Sequence, residues 1–453
     1  MKGIMFIMFE NKKIFVFGLA RSGYEVSKLL SKYNNEILVC DKDDKEIDKI
    51  EELNKLGIKF IKTDNPEELL DETYDYVIKN PGIINTHPCI LKANKLNIRV
   101  INEVEVGYSF IKDKATIIGI TGSNGKTTTT TIIYEIMKKA GLPVILAGNI
   151  GYPLCQIVDK VKDNDIIVME ISDHQLLNVK DFKTNISILT NLSEVHLDFH
   201  GNYVNYKNVK KRIFNHHTNE DIAIINSGNK DVLELTNSIN SKKITFSSKS
   251  DADICLKDNY ICYFNEIILD INNIKIKGLH NYENIMCMLA VCELFNVDIN
   301  IIKDYLSKFN GVEHRIEFVK EVNGRLFYND SKATNTESTI VALKSFTNNI
   351  ILLLGGLDRG HSFEPLNEYL KNVTHICCFG ETKNRIYEWA TNNNIDCLVF
   401  DNLKQATLKA YEISNENDVI LLSPSCASWD QYKCMEDRGN DFKNIINSIK
   451  SSN

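Results

Sequence analysis

Six consecutive residues, Gly122-Ser123-Asn124-Gly125-Lys126-Thr127, have the types and order of a polyphosphate cradle, and Thr128 adds another hydroxyl. Glycines let successive backbone N–H groups turn toward one anion, and a helix starting there supplies more donors and a favourable dipole. Lys126 would hold terminal phosphates as a point charge, while the Thr127 hydroxyl would sit on Mg²⁺. The loop departs from G-x-x-x-x-G-K-T because Ile120 stands where the first glycine belongs, which disfavours generic kinases and small GTPases. Its bland alternative is a glycine-rich turn with no ligand. A nucleotide site also needs hard oxygen ligands for Mg²⁺ and tolerates an occasional imidazole. Glu170 closes the apolar run Ile166-Ile167-Val168-Met169, and His196 follows the run Ile186 to Thr190 by a short loop. Alone, each reads equally well as a strand-end carboxylate or a loop imidazole; with Lys126 they make a plausible site.

Such groups meet only if strands and helices alternate around them. Thr116 to Ile120, the glycine loop and a helical pattern through Ile132, Ile133, Ile136 and Met137 give strand, loop, helix, with further strands at Ile166 to Glu170, Ile186 to Thr190 and Ile222 to Asn226. An earlier unit of the same kind runs through Ile14 to Phe17, the turn Gly18 to Gly23, a helix through Val26, Leu29 and Leu30, and strands at Ile37 to Cys40 and Tyr76 to Ile78. Ala20 replaces the second glycine of the dinucleotide fingerprint, so NAD binding is weakly supported, but a ligand at these strand ends near Asp41 still fits. A third series has strands at Arg325 to Tyr328, Ile350 to Leu354, His375 to Phe379 and Val419 to Leu422. The expected fold is therefore α/β in three domains: Rossmann-like residues 1–108, a central phosphate-loop domain with a mostly parallel sheet over 109–311, and Rossmann-like residues 312–453.

The 453 residues leave room for two to four such domains. A net charge of -7 offers no basic excess for a phosphate backbone, which argues against nucleic acid as a partner. Twelve scattered cysteines without zinc spacing read as reduced thiols. The apolar stretch Ile4 to Phe9 is too short for a signal peptide and reads as a lead-in or a short strand. No run approaches a membrane span. A monomer in the cytoplasm, with no membrane insertion, is expected.

The ordered motifs resemble the Mur ligase family, ATP-dependent amide ligases of peptidoglycan precursor assembly. The resemblance rests on the loop Thr121 to Thr128, Gly148-Asn149-Ile150-Gly151, Glu170-Ile171-Ser172, Thr190-Asn191-Leu192 leading to His196-Leu197-Asp198, Gly278 to Asn284, His314-Arg315 and Asn329 to Asn335. Lys79 to Ile83, Leu354 to Gly360 and Leu422 to Asp430 favour the member that adds D-glutamate to UDP-N-acetylmuramoyl-L-alanine through an acyl phosphate and a tetrahedral intermediate. The resemblance implies that the first domain binds the UDP-sugar through Gly18, Ala20, Arg21, Ser22, Asp41, Asn80 and Gly82, with Asn149 and Ser172 contributing from the second. It places ATP on Gly122 to Thr128, with Asn281 and Asn284 near adenine, and Arg315 and Asp330 at the phosphates and ribose. Lys332, Thr334, Arg359, Ser428 and Met435 would contact D-glutamate. Two Mg²⁺ ions would be held by Thr127, Glu170, His196 and a carbamate on Lys210, with Lys126, Glu170, His196 and Lys210 forming the catalytic set. Lys210 comes from matching Tyr206 to Ile213 with the family's pattern; Lys211 is its nearest competitor, and unaided the segment reads as a solvated basic helix.

One departure stands out. After Glu170-Ile171-Ser172 the chain has Asp173-His174-Gln175, where the family more often has serine and an aromatic residue. The simpler expectation is loop variation, the alternative an added metal contact. Two other functions remain open: a different Mur-type or folylpolyglutamate-type amide ligase, and a non-catalytic nucleotide-binding regulatory module.

Overall fold

A computed structural model of the chain describes residues 8–449, without the side chains of Asp198 and Glu337. Residues 4–7 of the apolar lead-in lie outside that range. Two compact units divide at Lys308 and Phe309.

The first unit carries two sheets. One has five parallel strands in the order Lys59–Lys62, Glu36–Asp41, Lys13–Phe17, Tyr76–Lys79, Arg99–Ile101. The second has nine, in the order Glu266–Asp270, Tyr260–Tyr263, Ile254–Lys257, Lys242–Ser247, Ile222–Asn226, Ile186–Leu189, Ala115–Thr121, Asp165–Glu170, Val144–Gly148, and Tyr260–Tyr263 alone runs against its neighbours. In the second unit six strands follow the order Glu317–Val322, Arg325–Asn329, Val419–Leu422, Ile350–Gly355, Val373–Phe379, Asp396–Val399, with only the first pair antiparallel. Central strands such as Asp165–Glu170 and Ile350–Gly355 are buried at every residue, as parallel strands covered on both faces require. The α/β class and the three sheets match the sequence reading. Among the described residues no helix is long and apolar enough to cross a membrane.

Short helices are fixed by side-chain caps. Asn102 accepts from the Glu105 N–H at the start of Glu103–Ile111, and Glu105 in turn accepts from the backbone N–H groups of Lys180, Asp181 and Phe182. Neighbouring Glu103 is buried, and its carboxyl accepts from the Cys155 N–H at 2.5 Å. Burial pushes its carboxyl up to about 7 from 4.5. The folded state keeps a proton that the unfolded chain releases between those values, so stability falls as pH rises through the window. Glu103→Gln should therefore stabilise the chain by about 3 kcal/mol at about pH 8 and by little at about pH 4.5. Urea melts at the two pH values check this, and an equal gain at both would refute the assignment.

Candidate active site

The strand Ala115–Thr121 lies between Ile186–Leu189 and Asp165–Glu170, an order in which connections depart to opposite sides and open α/β sheets bind ligands at the strands' carboxyl ends. The loop that follows is built for close approach. Gly122 and Gly125 have φ of 148° and 81°, and a Cβ would collide with Thr190 Oγ1 at the first and Asn284 Oδ1 at the second. Asn191 shapes the loop by accepting the Ser123 N–H on its carbonyl and the Asn124 N–H on its side chain, both at 2.9 Å. Lys126 opens the helix Lys126–Lys139, and its ammonium donates to the carbonyls of Gly122 (2.8 Å) and Ser123 (2.9 Å). Thr127 is buried beside it. Asn284 accepts from Thr129 at 3.2 Å and so sits against the loop, whereas Asn281 donates to the Lys277 carbonyl.

Glu170 is paired in register with Ile120, one residue before the loop's strand ends. Its carboxylate is buried, Oε1 accepts from Asn149 Nδ2 at 2.6 Å, and Oε2 has no hydrogen-bond partner among the described residues. An unmet anionic oxygen at a strand end beside a phosphate loop suits a cation. Ser172 and Gln175 make a capping box for the turn Asp173–Leu176, which turns Asp173 inward.

Asp173, which the sequence marks only as a departure from the family's pattern, is a hub. The expectation of loop variation is corrected: the carboxylate is buried and gathers three imidazoles and a lysine. Its Oδ2 lies 3.0 Å from His196 Nδ1 and 2.7 Å from His200 Nε2, with His174 Nδ1 at 3.5 Å; Oδ1 lies 3.3 Å from Lys210 Nζ. Burial opposes its ionisation, yet the His196 hydrogen bond and the Lys210 charge outweigh it and hold the carboxyl far below the usual range. Burial pushes His174 down to about 4. His196 itself has φ 54°, a left-handed backbone that non-glycine residues adopt mostly where local structure demands it.

Lys210 also departs from the solvated-helix reading. It is fully buried, donates to Thr121 Oγ1 at 3.0 Å and faces the Tyr206 ring at 5.4 Å. Burial pulls its ammonium pKa down, with Asp173 opposing. The competitor Lys211 turns outward to Ser238. Tyr206, likewise unforeseen, joins the cluster to the loop through its hydroxyl, 2.9 Å from Ser123 Oγ.

The first sheet gathers most residues assigned to the sugar nucleotide. Gly18, with φ 97°, lies against Asn80; Leu19 N–H donates to Asp41 at 2.7 Å; Asn80 Nδ2 donates to Ser22 Oγ at 3.4 Å and its Oδ1 accepts from the Gly82 N–H. Ala20 precedes the helix Arg21–Leu30, whose N-terminus faces this turn, and Arg21 donates to the Gly151 carbonyl at 2.6 Å. Asn149 and Ser172 sit apart from that group, beside Glu170 and Asp173.

In the second unit Asp330 is buried and accepts from Ser423 Oγ at 2.8 Å and the Ile316 N–H at 3.2 Å; burial pushes its carboxyl up to about 7, with Ser423 and Arg315 opposing. Ile316 holds φ 46°, a strained state for a β-branched residue, directly after Arg315. Arg359 stacks its guanidinium 4.7 Å from the Trp429 ring. Buried Ser428 has no hydrogen-bond partner for Oγ among the described residues, Lys332 and Thr334 are half-buried, and the Met435 carbonyl accepts from Ser331. Arg438, fully buried, ties these segments together through Ser331 and the Cys426 carbonyl. Nothing in its local sequence, an ordinary helical Glu-Asp-Arg-Gly, announces that role.

The profile of the Mur ligase middle domain matches residues 120–292, and that of the Mur ligase glutamate ligase domain matches residues 314–426. The chain is 41% identical over 447 residues to the UDP-N-acetylmuramoylalanine--D-glutamate ligase of Geobacillus sp. (strain WCH70), covering 98% of this chain and 99% of that protein. It is 39% identical over 445 residues to the protein of the same name from Bacillus cereus (strain G9842), covering 97% and 98%. Among solved structures it resembles the UDP-N-acetylmuramate-alanine ligase MurC of Thermotoga maritima, with a TM-score of 0.61 at 18% identity over 97% of this chain and 100% of that one. The MurF ligase of Thermotoga maritima in complex with ADP gives a TM-score of 0.57 at 18% identity, over 99% of each chain.

Proposed function

The chain belongs to the Mur ligase family, and from that premise we propose how its residues carry out the family's chemistry. The reaction is the ATP-dependent joining of D-glutamate to UDP-N-acetylmuramoyl-L-alanine in peptidoglycan synthesis. A carboxylate is a poor electrophile, so the γ-phosphoryl group moves from ATP to the L-alanine carboxylate, breaking the bond to ADP. The D-glutamate amine then attacks the acyl phosphate, a proton leaves the nitrogen, and phosphate departs as the amide forms.

The observation that carries the site assignment is the buried Glu170 carboxylate, with one oxygen unmet, in register with the strand that feeds the phosphate loop. Lys126 neutralises the transferring group, and the Gly122 to Thr128 amides and hydroxyls orient it. Thr127, Glu170 and His196 would hold two Mg²⁺ ions, which supply charge neutralisation at the phosphates when bound. Asn281 and Asn284 take adenine, and Arg315 and Asp330 serve the phosphates and ribose. Gly18, Ala20, Arg21, Ser22, Asp41, Asn80 and Gly82 take the UDP-sugar, with Asn149 and Ser172 lining its path; Lys332, Thr334, Arg359, Ser428 and Met435 take D-glutamate. Residues 1–108, 109–311 and 312–453 then serve one substrate each, in a monomeric cytoplasmic enzyme.

Phosphate release with UDP-N-acetylmuramoyl-L-alanine and a panel of amino acids tests the reading. D-glutamate should be the sole strong acceptor. Another preferred acceptor would indicate a different amide ligase, and ATP binding without substrate-dependent release would indicate a regulatory module.

Lys210 completes the metal ligands as a carbamate. CO₂ adds only to a neutral amine, and burial pulls this ammonium toward that form. Protein kept in ¹³C-bicarbonate should show a carbamate carbon resonance that Lys210→Ala lacks, and acetate should restore part of that variant's activity. With neither, Lys210 is the counter-ion of Asp173 alone.

A further inference from the structure

Asp173, His174 and His200 have no part in the reaction as described, yet they surround His196. We propose that Asp173, His174 and His196 form a site for a divalent transition ion of the Mn²⁺ class, which the chain binds without nucleotide. One ligand atom from each residue lies within 4.8 Å of the others. Burial falls in sequence, from the enclosed carboxylate through half-buried His174 to His196, whose side chain is 44% exposed, so the cluster opens to solvent on one side. The imidazoles of His196 and His174 approach the same oxygen, Asp173 Oδ2, at 3.0 and 3.5 Å. An ion there would take the place of the protons that now link these atoms.

Two further contacts are of the kind that orient metal ligands from behind. His200 Nε2 meets Oδ2 at 2.7 Å, and Lys210 Nζ, as the unmodified amine of the nucleotide-free chain, meets Oδ1 at 3.3 Å, so the carboxylate is fixed from both ends before any carbamate forms. Donor type sets the choice of ion. Mg²⁺ prefers oxygen, tolerates a single imidazole such as His196 and sheds water reluctantly, whereas two imidazoles with one carboxylate suit Mn²⁺, Fe²⁺, Co²⁺ or Zn²⁺ and leave positions open for water or a phosphate oxygen. The proposal rests on the assignment of His196 to a metal and deepens it by naming two more ligands and the class of ion.

Electron paramagnetic resonance of Mn²⁺ titrated into the full-length, nucleotide-free protein tests it. The expected result is one bound ion per chain, resistant to a tenfold excess of Mg²⁺, with affinity lowered about tenfold or more in Asp173→Asn, His174→Phe and His196→Ala. His174→Phe keeps ring volume against Phe199, whose centroid lies 4.0 Å away, and leaves the Asp173–Lys210 pair intact, so it reports even if Asp173→Asn fails to fold. Co²⁺ bound to the native chain should show visible bands of imidazole coordination that His174→Phe alters. If His196→Ala alone weakens binding, the proposal fails and the assignment of His196 stands. Binding unchanged in all three variants would overturn both, and no Mn²⁺ uptake without nucleotide would overturn the proposal.

Discussion

Lys126→Ala is expected to lower kcat by about two to three orders of magnitude while the fold persists. The ammonium is held on the loop itself by the carbonyls of Gly122 and Ser123, beside the place where phosphate charge would develop. Its removal takes away a positive charge held in place by the loop, next to where the phosphates would lie. Stability should change little, because Lys126 is the first residue of its helix and alanine suits that position. Single-turnover phosphate transfer, with nucleotide affinity measured separately, distinguishes the two effects. Near-normal turnover with intact binding would remove Lys126 from the mechanism. Arginine should not restore it, since a planar fork cannot replace a compact ammonium in a loop closed on one side by Thr190 and on the other by Asn284.

That loop was legible in the sequence because its chemistry is local. Glycine spacing, the lysine and the flanking apolar runs are all consecutive, and the structure places them on one strand, turn and helix. The central strands were legible for the same reason: Ile222–Asn226 is apolar up to its final asparagine, and Val419–Leu422 is apolar throughout. Edge strands were not. Lys59–Lys62 and Arg99–Ile101 are four and three residues long, and Lys257–Tyr260 turns a hairpin through Asp258 and Asn259 with little apolar signal. The least legible feature is Asp173, whose meaning depends on residues 23 to 37 positions away. Lys210 and Lys211 are alike in sequence, and only the face of the helix Tyr203–Lys211 that packs inward tells them apart.

Glu170→Gln should lower kcat by a comparable factor and raise the Mg²⁺ concentration needed for half-maximal rate, yet make the metal-free protein more stable. The two effects have one cause. Oε1 is satisfied by Asn149, and a glutamine carbonyl would accept the same donor at the same place. Oε2 is buried without a partner, so the folded chain carries an unmet acceptor on an anion, a cost of about 1–3 kcal/mol or more. A neutral amide relieves the buried charge, but with its carbonyl held by Asn149 its NH2 stands where Oε2 was, and an NH2 cannot ligate a cation. The carboxylate is therefore retained against stability because the loaded enzyme needs it, as buried charges at functional sites often are. Thermal denaturation in EDTA and in excess Mg²⁺, beside steady-state rates, checks both halves. Native protein should gain stability from Mg²⁺ with nucleotide and Glu170→Gln should gain less. A variant that loses stability in EDTA while keeping its Mg²⁺ dependence would make Glu170 a structural residue, and the cation would then have to be held without the strand-end carboxylate.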